Sequence, residues 1–180
     1  MGSSAPDAHT PRQQQIIDVA GEILEAEGPE ALTMRRLATE LGIKAPSLYK
    51  HFPDKSAVES ALIERGFLLW GERARDAVRL SRNPLLDLSV AYRTIARERP
   101  HLYRLMTTGE LDRSRIAPGI EEWSGAPIGA LFPGEETARA FWAFLHGMAI
   151  LEIDHRFPAS ADLDRAWSAG LAAFAGVRTS

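Results

Sequence analysis

A short run of side chains around residue 50 combines groups that proteins use to contact nucleic acid. Two hydroxyls, an ammonium and an imidazole lie close together, on Ser47, Tyr49, Lys50 and His51. Leu48 and Phe52 are four residues apart, so on a short helix they point inward and leave those four side chains outside. A helix of this kind can read base edges in a major groove while flanking donors bind phosphate oxygens.

Other chemistries have weaker support in the sequence. The absence of cysteine excludes disulfides, thiolate catalysis and thiolate metal sites. His146, Glu152 and His155 are candidate metal ligands, but the two histidines are about two and a half helical turns apart and would diverge. We find no Gly-rich phosphate loop, paired-carboxylate pocket or nucleophile elbow. We therefore expect no metal, no cofactor and no enzymatic activity, with a helical metalloprotein or enzyme built on these three residues as the alternative.

The elements that would position the polar run form a helix-turn-helix. Thr33 is a good N-cap, and Leu37 and Leu41 recur at helical spacing after it. Gly42 permits the left-handed backbone with which a chain leaves a helix abruptly. Pro46 then suits the first turn of a second helix, because its φ is already fixed. The pattern predicts a short outward-facing second helix.

Charge along this segment differs from that of the whole chain. The protein carries a net charge of −3, whereas residues 33–55 hold five Lys or Arg against Glu40 and Asp54, with His51 in addition. A local positive face on an acidic protein is what phosphate contact requires. A solvated helical surface would show the same charge run, so the motif carries more weight than the charge.

The segment resembles the DNA-binding head of the TetR family of transcriptional regulators. The resemblance rests on Ala38, Gly42, Leu48 and the run LYKHFPDK ending at Lys55, and it covers about residues 12–60. The segments LYRLM and FWAFLHG further along are similar to the family's diverse C-terminal domains. The resemblance implies a homodimeric repressor that binds double-stranded operator DNA and responds to a small molecule.

The resemblance also implies roles for individual side chains of the head. Phosphate contacts fall to Thr33, Tyr49, His51 and Lys55. Arg35 and Lys44 become candidates for base edges. The groove surface would be lined by Ala45, Pro46, Ser47 and Lys50. Some family members carry a polar residue where this chain has Ala45, so we expect weaker direct readout at that position.

The rest of the chain is predicted to be helical throughout, which makes the fold all-α. Helices are expected at about 12–27, 55–80, 84–99, 101–106, 117–131 and 135–157, with a last helix capped by Ser160 or Asp162. The long helix from Lys55 has two apolar stripes, so we expect it to connect two cores. We predict a disordered tail at 1–11, a DNA-binding domain at 12–56 and a ligand-binding and dimerisation domain at 57–180.

A ligand site is implied by the resemblance and supported indirectly by aromatic residues on several helices. The candidates are Phe67, Trp70, Tyr92, Tyr103, Met106, Trp123, Trp142 and His146. Aromatic walls with a few polar groups suit a small apolar or aromatic ligand. Aromatics at helical spacing are more often packed core, and His146 among apolar neighbours is more often a satisfied core histidine, so both interpretations remain open.

The last two helices are candidates for a dimer interface. The helix at 135–157 has apolar residues on nearly every side and is expected to be buried all round. The candidate interface residues are Leu145, Met148, Glu152, Trp167, Gly170, Leu171 and Phe174. A four-helix interface with a second copy fits the dimer that the resemblance implies. Completion of a monomer core is the alternative.

Two further expectations concern location and a possible loss of function. No window approaches the apolar run of a membrane span, and the N-terminus lacks the apolar core of a signal peptide, so we expect a cytoplasmic protein without a membrane partner. A dimeric adaptor whose head no longer binds DNA is a further alternative. Against it, Thr33, Tyr49, His51 and Lys55 all retain hydrogen-bonding side chains.

Overall fold

The computed structural model describes residues 9–177, and all regular structure in that range is helical. The elements are α1 (Pro11–Glu27), α2 (Met34–Glu40), α3 (Ala45–Tyr49), α4 (Lys55–Arg79), α5 (Pro84–Glu98), α6 (Pro100–Thr107), a 3-10 turn (Arg113–Arg115), α7 (Ile120–Gly129), α8 (Glu135–Ile153) and α9 (Leu163–Val177). The all-α prediction is confirmed. The predicted tail at residues 1–11 lies mostly outside the described residues, and Thr10 already caps α1.

Side-chain caps start the helices where the sequence predicted. The Thr33 hydroxyl accepts a hydrogen bond from the backbone N–H of Arg36 at 3.1 Å. Asp54 accepts from the N–H of Ala57 at 2.7 Å at the start of α4. The same arrangement begins α9, where Asp162 accepts from a backbone N–H at 3.0 Å. Each cap satisfies a donor that the first helical turn leaves free.

The chain divides into two compact units. The first, called the head unit, comprises the residues up to Leu68 together with Arg99–Glu121. Its core is formed by α1, α2, α3, the first part of α4 and Leu102 of α6. Glu25 of α1 accepts from the backbone N–H of Leu102 at 2.7 Å, which ties the start of α6 to α1.

The second unit comprises Leu69–Glu98 and the residues from Glu122 onward. One side of α5 is buried and carries Leu85, Leu88, Tyr92 and Ile95. α5 packs on α8 and α9, and α8 packs on α9. An aromatic cluster joins α8, α9 and the segment before α8, and it is formed by Phe132, Phe141, Phe144 and Phe174 with ring centroids 5.1–6.4 Å apart.

Helix α8 differs from its prediction in length and in burial. It ends at Ile153 rather than at residue 157, because His155 adopts a φ of +52°. Hydrogen bonds from the N–H of Arg156 to Leu151 and from the N–H of His155 to Glu152 complete a Schellman-type end. The expectation of burial on all sides is wrong for the single chain, in which Trp142 and Leu151 are exposed.

Gly170 marks the closest approach of α9 to α8. A Cβ atom at this position would lie 2.2 Å from Cε2 of Phe144. We expect Gly170→Ala to destabilise the chain by about 1–3 kcal/mol, the usual cost of overpacking a filled interior. The matched control is Gly125→Ala in α7, where nothing lies within 4 Å of the added atom and helix propensity should raise stability by about 0.5–1 kcal/mol. Urea unfolding of both variants measures the change in the free energy of unfolding. Equal changes in the two variants would contradict the close packing of Gly170 against Phe144.

Candidate functional site

The head positions one short helix by a tight turn and two apolar anchors. Gly42 has a φ of +62°, and the N–H of Ile43 reaches back to the carbonyl of Ala38 at 3.0 Å. α3 then runs for five residues, with Pro46 in its first turn. Leu48 is fully buried and Phe52 is 4% exposed. These two anchors fix which side of α3 is left outside.

The outward side of α3 carries the predicted polar run. Tyr49 is 49% exposed, so its hydroxyl is accessible to a partner outside the chain. Lys50 is exposed, while Ser47 and His51 are half-buried. Gln13 of α1 donates to the carbonyl of His51 at 3.4 Å, so α1 holds the end of this segment. Gln13 was not recognised from the sequence.

The basic residues of the head fall into two groups by their partners. Within residues 9–177, Arg35, Lys44 and Lys50 make no ion pair. Arg36, by contrast, pairs with Glu27 at 2.7 Å and with Glu40 at 2.5 Å. These carboxylates raise the pKa of the Arg36 guanidinium. The free positive charge of the head therefore comes from the first group.

Thr33 and Lys55 keep donors available although each already has a partner. The Thr33 hydroxyl accepts from the N–H of Arg36, so its own hydrogen remains free to donate. The Lys55 ammonium donates to the carbonyl of Pro29 at 3.2 Å and lies 3.3 Å from Glu59. An ammonium has three donors, so one remains for a phosphate oxygen.

Family models match both halves of the chain. Residues 16–62 match the model of bacterial regulatory proteins of the tetR family. Residues 85–174, half of the chain, match the model of the tetracyclin repressor-like C-terminal domain. The chain belongs to the TetR family. Members of this family are DNA-binding transcriptional regulators rather than enzymes, and this protein is one of the regulators.

Relatives and solved structures agree with this membership. The chain is 30% identical over 163 residues to the uncharacterized HTH-type transcriptional regulator Rv0681 of Mycobacterium tuberculosis, covering 78% of this chain and 70% of the relative. It spans about half the length of other curated relatives that it matches.

Two solved structures show the same TetR fold. A protein of unknown function from Rhodococcus sp. RHA1 has a TM-score of 0.75 at 24% identity and covers 97% of this chain and 100% of that one. The Streptomyces coelicolor TetR family protein ActR, solved in complex with (S)-DNPA, has a TM-score of 0.64 at 21% identity and covers 92% and 96%.

The predicted ligand-binding residues are distributed over both units of this TetR-family chain. The head unit contains Phe67, Tyr103 and Met106. The second unit contains Trp70, Tyr92, Trp123, Trp142 and His146. Most of them have packing partners within their own unit. Trp70 meets Tyr92 edge-on with centroids 4.8 Å apart, and the Arg75 guanidinium lies 3.7 Å above the Trp123 ring.

Trp142 and His146 form a more accessible pair. Trp142 is 49% exposed, and its ring stacks on His146 with centroids 6.1 Å apart. Burial lowers the pKa of the His146 imidazole below its ordinary value. His146 is therefore neutral at neutral pH and presents an aromatic surface rather than a charge.

The predicted dimer residues face mainly into their own chain. Leu145, Trp167 and Leu171 are buried within it, and Gly170 lies against Phe144. The outer sides of the same helices are different: α8 exposes Trp142 and Leu151, and α9 exposes Ala166, Ala169, Ala172, Ala173 and Ala175. The pattern of a helix apolar on all sides could not distinguish the inner from the outer side.

Glu152, another predicted dimer residue, is the centre of an intrachain network. Its carboxylate accepts from Arg93 at 2.8 and 3.0 Å and from the Trp167 indole N–H at 3.0 Å. Arg93 also pairs with Asp164 at 2.5 Å. Burial alone would raise the pKa of Glu152, but these donors lower it below its ordinary value. The network joins α5, α8 and α9.

This network predicts a pH-dependent stability difference. Because folding lowers the pKa of Glu152, its charge stabilises the fold fully above the ordinary value of 4.5 and less as the pH falls through the folded-state value. We expect Glu152→Gln to cost about 1–3 kcal/mol at pH 7, with the difference from wild type shrinking in acid. Urea unfolding at pH 7 and pH 4 measures both values. A difference that grows in acid would contradict the network.

The described part of the chain offers neither a membrane span nor a metal cluster. No helix between residues 9 and 177 is long and apolar enough to cross a membrane. Over the same range, no group of three or more His, Cys, Asp or Glu side chains could hold a metal ion. Of the three candidate ligands, Glu152 already has Arg93 and Trp167 as partners.

Proposed function

We propose that this protein is a dimeric repressor whose α2–α3 head binds operator DNA in a sequence-specific way. The observation that carries the proposal is the outward face of the head. There, an exposed tyrosine of α3 is accompanied by three cations without ion pairs among the described residues, one on α2 and one at each end of α3. A helix presented in this way can enter a major groove. The cations are Arg35, Lys44 and Lys50.

Each predicted contact is given a role that suits its chemistry. Phosphates are bound by Thr33, Tyr49, His51 and Lys55, because these side chains can donate hydrogen bonds and face the flanks of α3. Their contacts set the register of the head on DNA. Arg35 and Lys44 reach base edges, where Arg can bond guanine through two donors. Ala45, Pro46, Ser47 and Lys50 line the groove surface. Residues 12–56 form the DNA-binding domain in this proposal, and 57–180 the ligand-binding and dimerisation domain.

Dimerisation through α8 and α9 would give the protein two heads. The exposed Trp142 and Leu151 and the exposed alanines of α9 supply an apolar outer surface that supports this part of the proposal. In a two-fold dimer the heads occupy successive major grooves, about 34–36 Å apart or at a multiple of that distance. The operator would then be an inverted repeat.

Ligand control is the third part of the proposal. A small apolar or aromatic molecule would bind among aromatic residues of the second unit, such as Trp70, Tyr92 and Trp142, and favour a dimer whose heads are wrongly spaced. α4 runs through both units, which gives a covalent route between ligand and head. By linkage, operator DNA must weaken ligand binding by the same factor.

Selection from a random-sequence duplex library tests the DNA-binding proposal and requires no operator sequence at the outset. We expect the purified protein to enrich an inverted repeat with half-sites centred about 10 base pairs apart or at a multiple of that spacing. Analytical ultracentrifugation of the enriched complex should show two protomers. If the selection enriched no sequence motif, the result would instead support an adaptor whose head does not bind DNA.

A further inference from the structure

A cavity of about 420 Å³ lies within the head unit. One wall is the first part of α4, from Ser56 to Ile63. The opposite wall is the end of α6 and the segment that follows it, from Leu105 to Ile116. Its volume falls in the range of small-molecule sites, about 300–1,000 Å³.

The charged residues that line this cavity are mostly acidic. Three carboxylates and one guanidinium line it: Glu59, Glu110, Asp112 and Arg115. The guanidinium of Arg115 is already paired with Asp112 and with Asp54, at 3.4 Å each. Glu110 has no ion pair within the described residues. The cavity therefore carries an excess of negative charge.

Asp112 remains ionised at neutral pH. Its carboxylate accepts from the Ser114 hydroxyl at 2.6 Å and from the Ser114 backbone N–H at 3.1 Å. These two hydrogen bonds, with the nearby Arg115 charge, lower the pKa of Asp112 below its ordinary value. The hydrogen bonds from Ser114 thus fix the position of the charged Asp112 carboxylate on this wall.

An apolar part of the lining suits a hydrocarbon or aromatic body. It is formed by Ile63, Leu105, Met106, Leu111 and Ile116. Met106 reaches the cavity because Gly66 of α4 leaves space for its thioether; a Cβ atom there would lie 2.1 Å from the sulfur. Apolar and acidic groups therefore meet in one site.

The opposite wall of the cavity, the segment that follows α6, is held in place by hydrogen bonds and an ion pair. The cavity therefore does not depend on a loose loop. The N–H of Ala117 donates to the carboxylate of Glu64 on α4 at 2.5 Å. Glu64 is only 7% exposed and also bonds His9 at 2.7 Å. Arg113 pairs with Glu121 at 2.7 Å beyond the same segment.

We propose that this cavity binds a small amphipathic cation, an amine with an apolar body. Glu59 and Glu110 hold the ammonium, and Ile63 and Met106 contact the body. An anion of the same shape is repelled by the carboxylates, and a neutral analogue lacks the electrostatic attraction to them. This site shares Met106 with the predicted ligand-binding residues but includes none of the aromatic residues proposed above for the effector, which are Trp70, Tyr92 and Trp142. Ligand binding here does not depend on DNA.

The position of Glu59 also gives the site a consequence for DNA binding. Glu59 is the carboxylate that lies 3.3 Å from the ammonium of Lys55. A bound cation competes with Lys55 for Glu59, and a DNA phosphate draws Lys55 away from it, so ligand and DNA should favour one another. This consequence rests on the proposed function, whereas occupancy of the cavity does not.

Three probes with one body and different charges test the proposal: 4-phenylbutylamine, 4-phenylbutanol and 4-phenylbutyrate. Isothermal titration of the full chain without DNA should show saturable binding of the amine, at least about tenfold weaker binding of the alcohol and no binding of the acid. Glu59→Gln combined with Glu110→Gln should weaken amine binding about tenfold or more. Glu136→Gln, an exposed acid of the second unit, is the matched control and should leave it unchanged.

Several outcomes would overturn the proposal. They are the absence of saturable amine binding, equal affinity for amine and alcohol, or amine binding that survives the double substitution. Circular dichroism of the double variant establishes that it is folded, so that lost binding is a local effect. Because no DNA is present, a failure of the operator proposal leaves this test intact.

Discussion

Replacing Tyr49 by Phe and Lys55 by Ala in one variant should reduce affinity for the selected operator by about 100-fold. Each substitution removes one donor to a phosphate, and a hydrogen bond to a charged group contributes about 1.5–3 kcal/mol. Neither side chain belongs to the core of the head unit, since Tyr49 is 49% exposed and the Lys55 side chain is 41% exposed. Fluorescence anisotropy with a labelled operator duplex measures the loss.

The matched control for this variant is Arg82→Ala, which also removes an exposed cation but lies in the second unit. It should change affinity less than twofold. Loss of the Lys55 charge should also reduce the slope of log K against log salt by about 0.9, whereas loss of the uncharged Tyr49 hydroxyl should leave the slope unchanged. Full affinity in the double variant, with an unchanged salt slope, would contradict the assigned phosphate contacts.

Phe141→Ala should be the most damaging single core substitution in the second unit. Phe141 is fully buried, and its ring lies 5.2 Å from Phe132 and 5.1 Å from Phe174, centroid to centroid. Truncation removes buried area and leaves a cavity between packed helices, which costs about 3–5 kcal/mol. Urea unfolding at fixed protein concentration measures the loss.

Arg139→Ala provides the control on the same helix, two residues earlier. Arg139 is largely exposed, and within residues 9–177 its one ion pair is with Glu135, four positions earlier on the same helix. Its loss should therefore change stability by no more than about 0.5 kcal/mol. Similar losses for the two variants would mean that Phe141 does not face the core.

The head could be predicted well because its signals are local. Thr33 and Asp54 cap the helices that follow them, Gly42 takes the left-handed conformation, and Leu48 with Phe52 fixes the outward face. Each of these depends on a residue and its neighbours within a few positions. The assignment of DNA contacts came from the family resemblance, and the structure adds that Arg36 is held by two glutamates while Arg35 has no ion pair in the described chain.

Features that depend on distant residues could not be predicted. The packing of α6 in the head unit rests on Glu25, which binds backbone N–H groups about 76 positions later. Glu152 looked like an interface residue because nothing local shows that Arg93 and Trp167 reach it. The early end of α8 was missed for another reason: the left-handed residue is His155, where a glycine would have been recognised.

Sequence-specific DNA recognition by the head is the central claim, and one titration tests it most directly. The wild-type protein is titrated against the selected duplex and against a scrambled duplex of the same composition, across a salt series. We expect both affinities to fall with salt while the selected duplex remains at least about 1,000-fold tighter, as specific regulators require. Equal affinities for the two duplexes at every salt concentration would contradict the account.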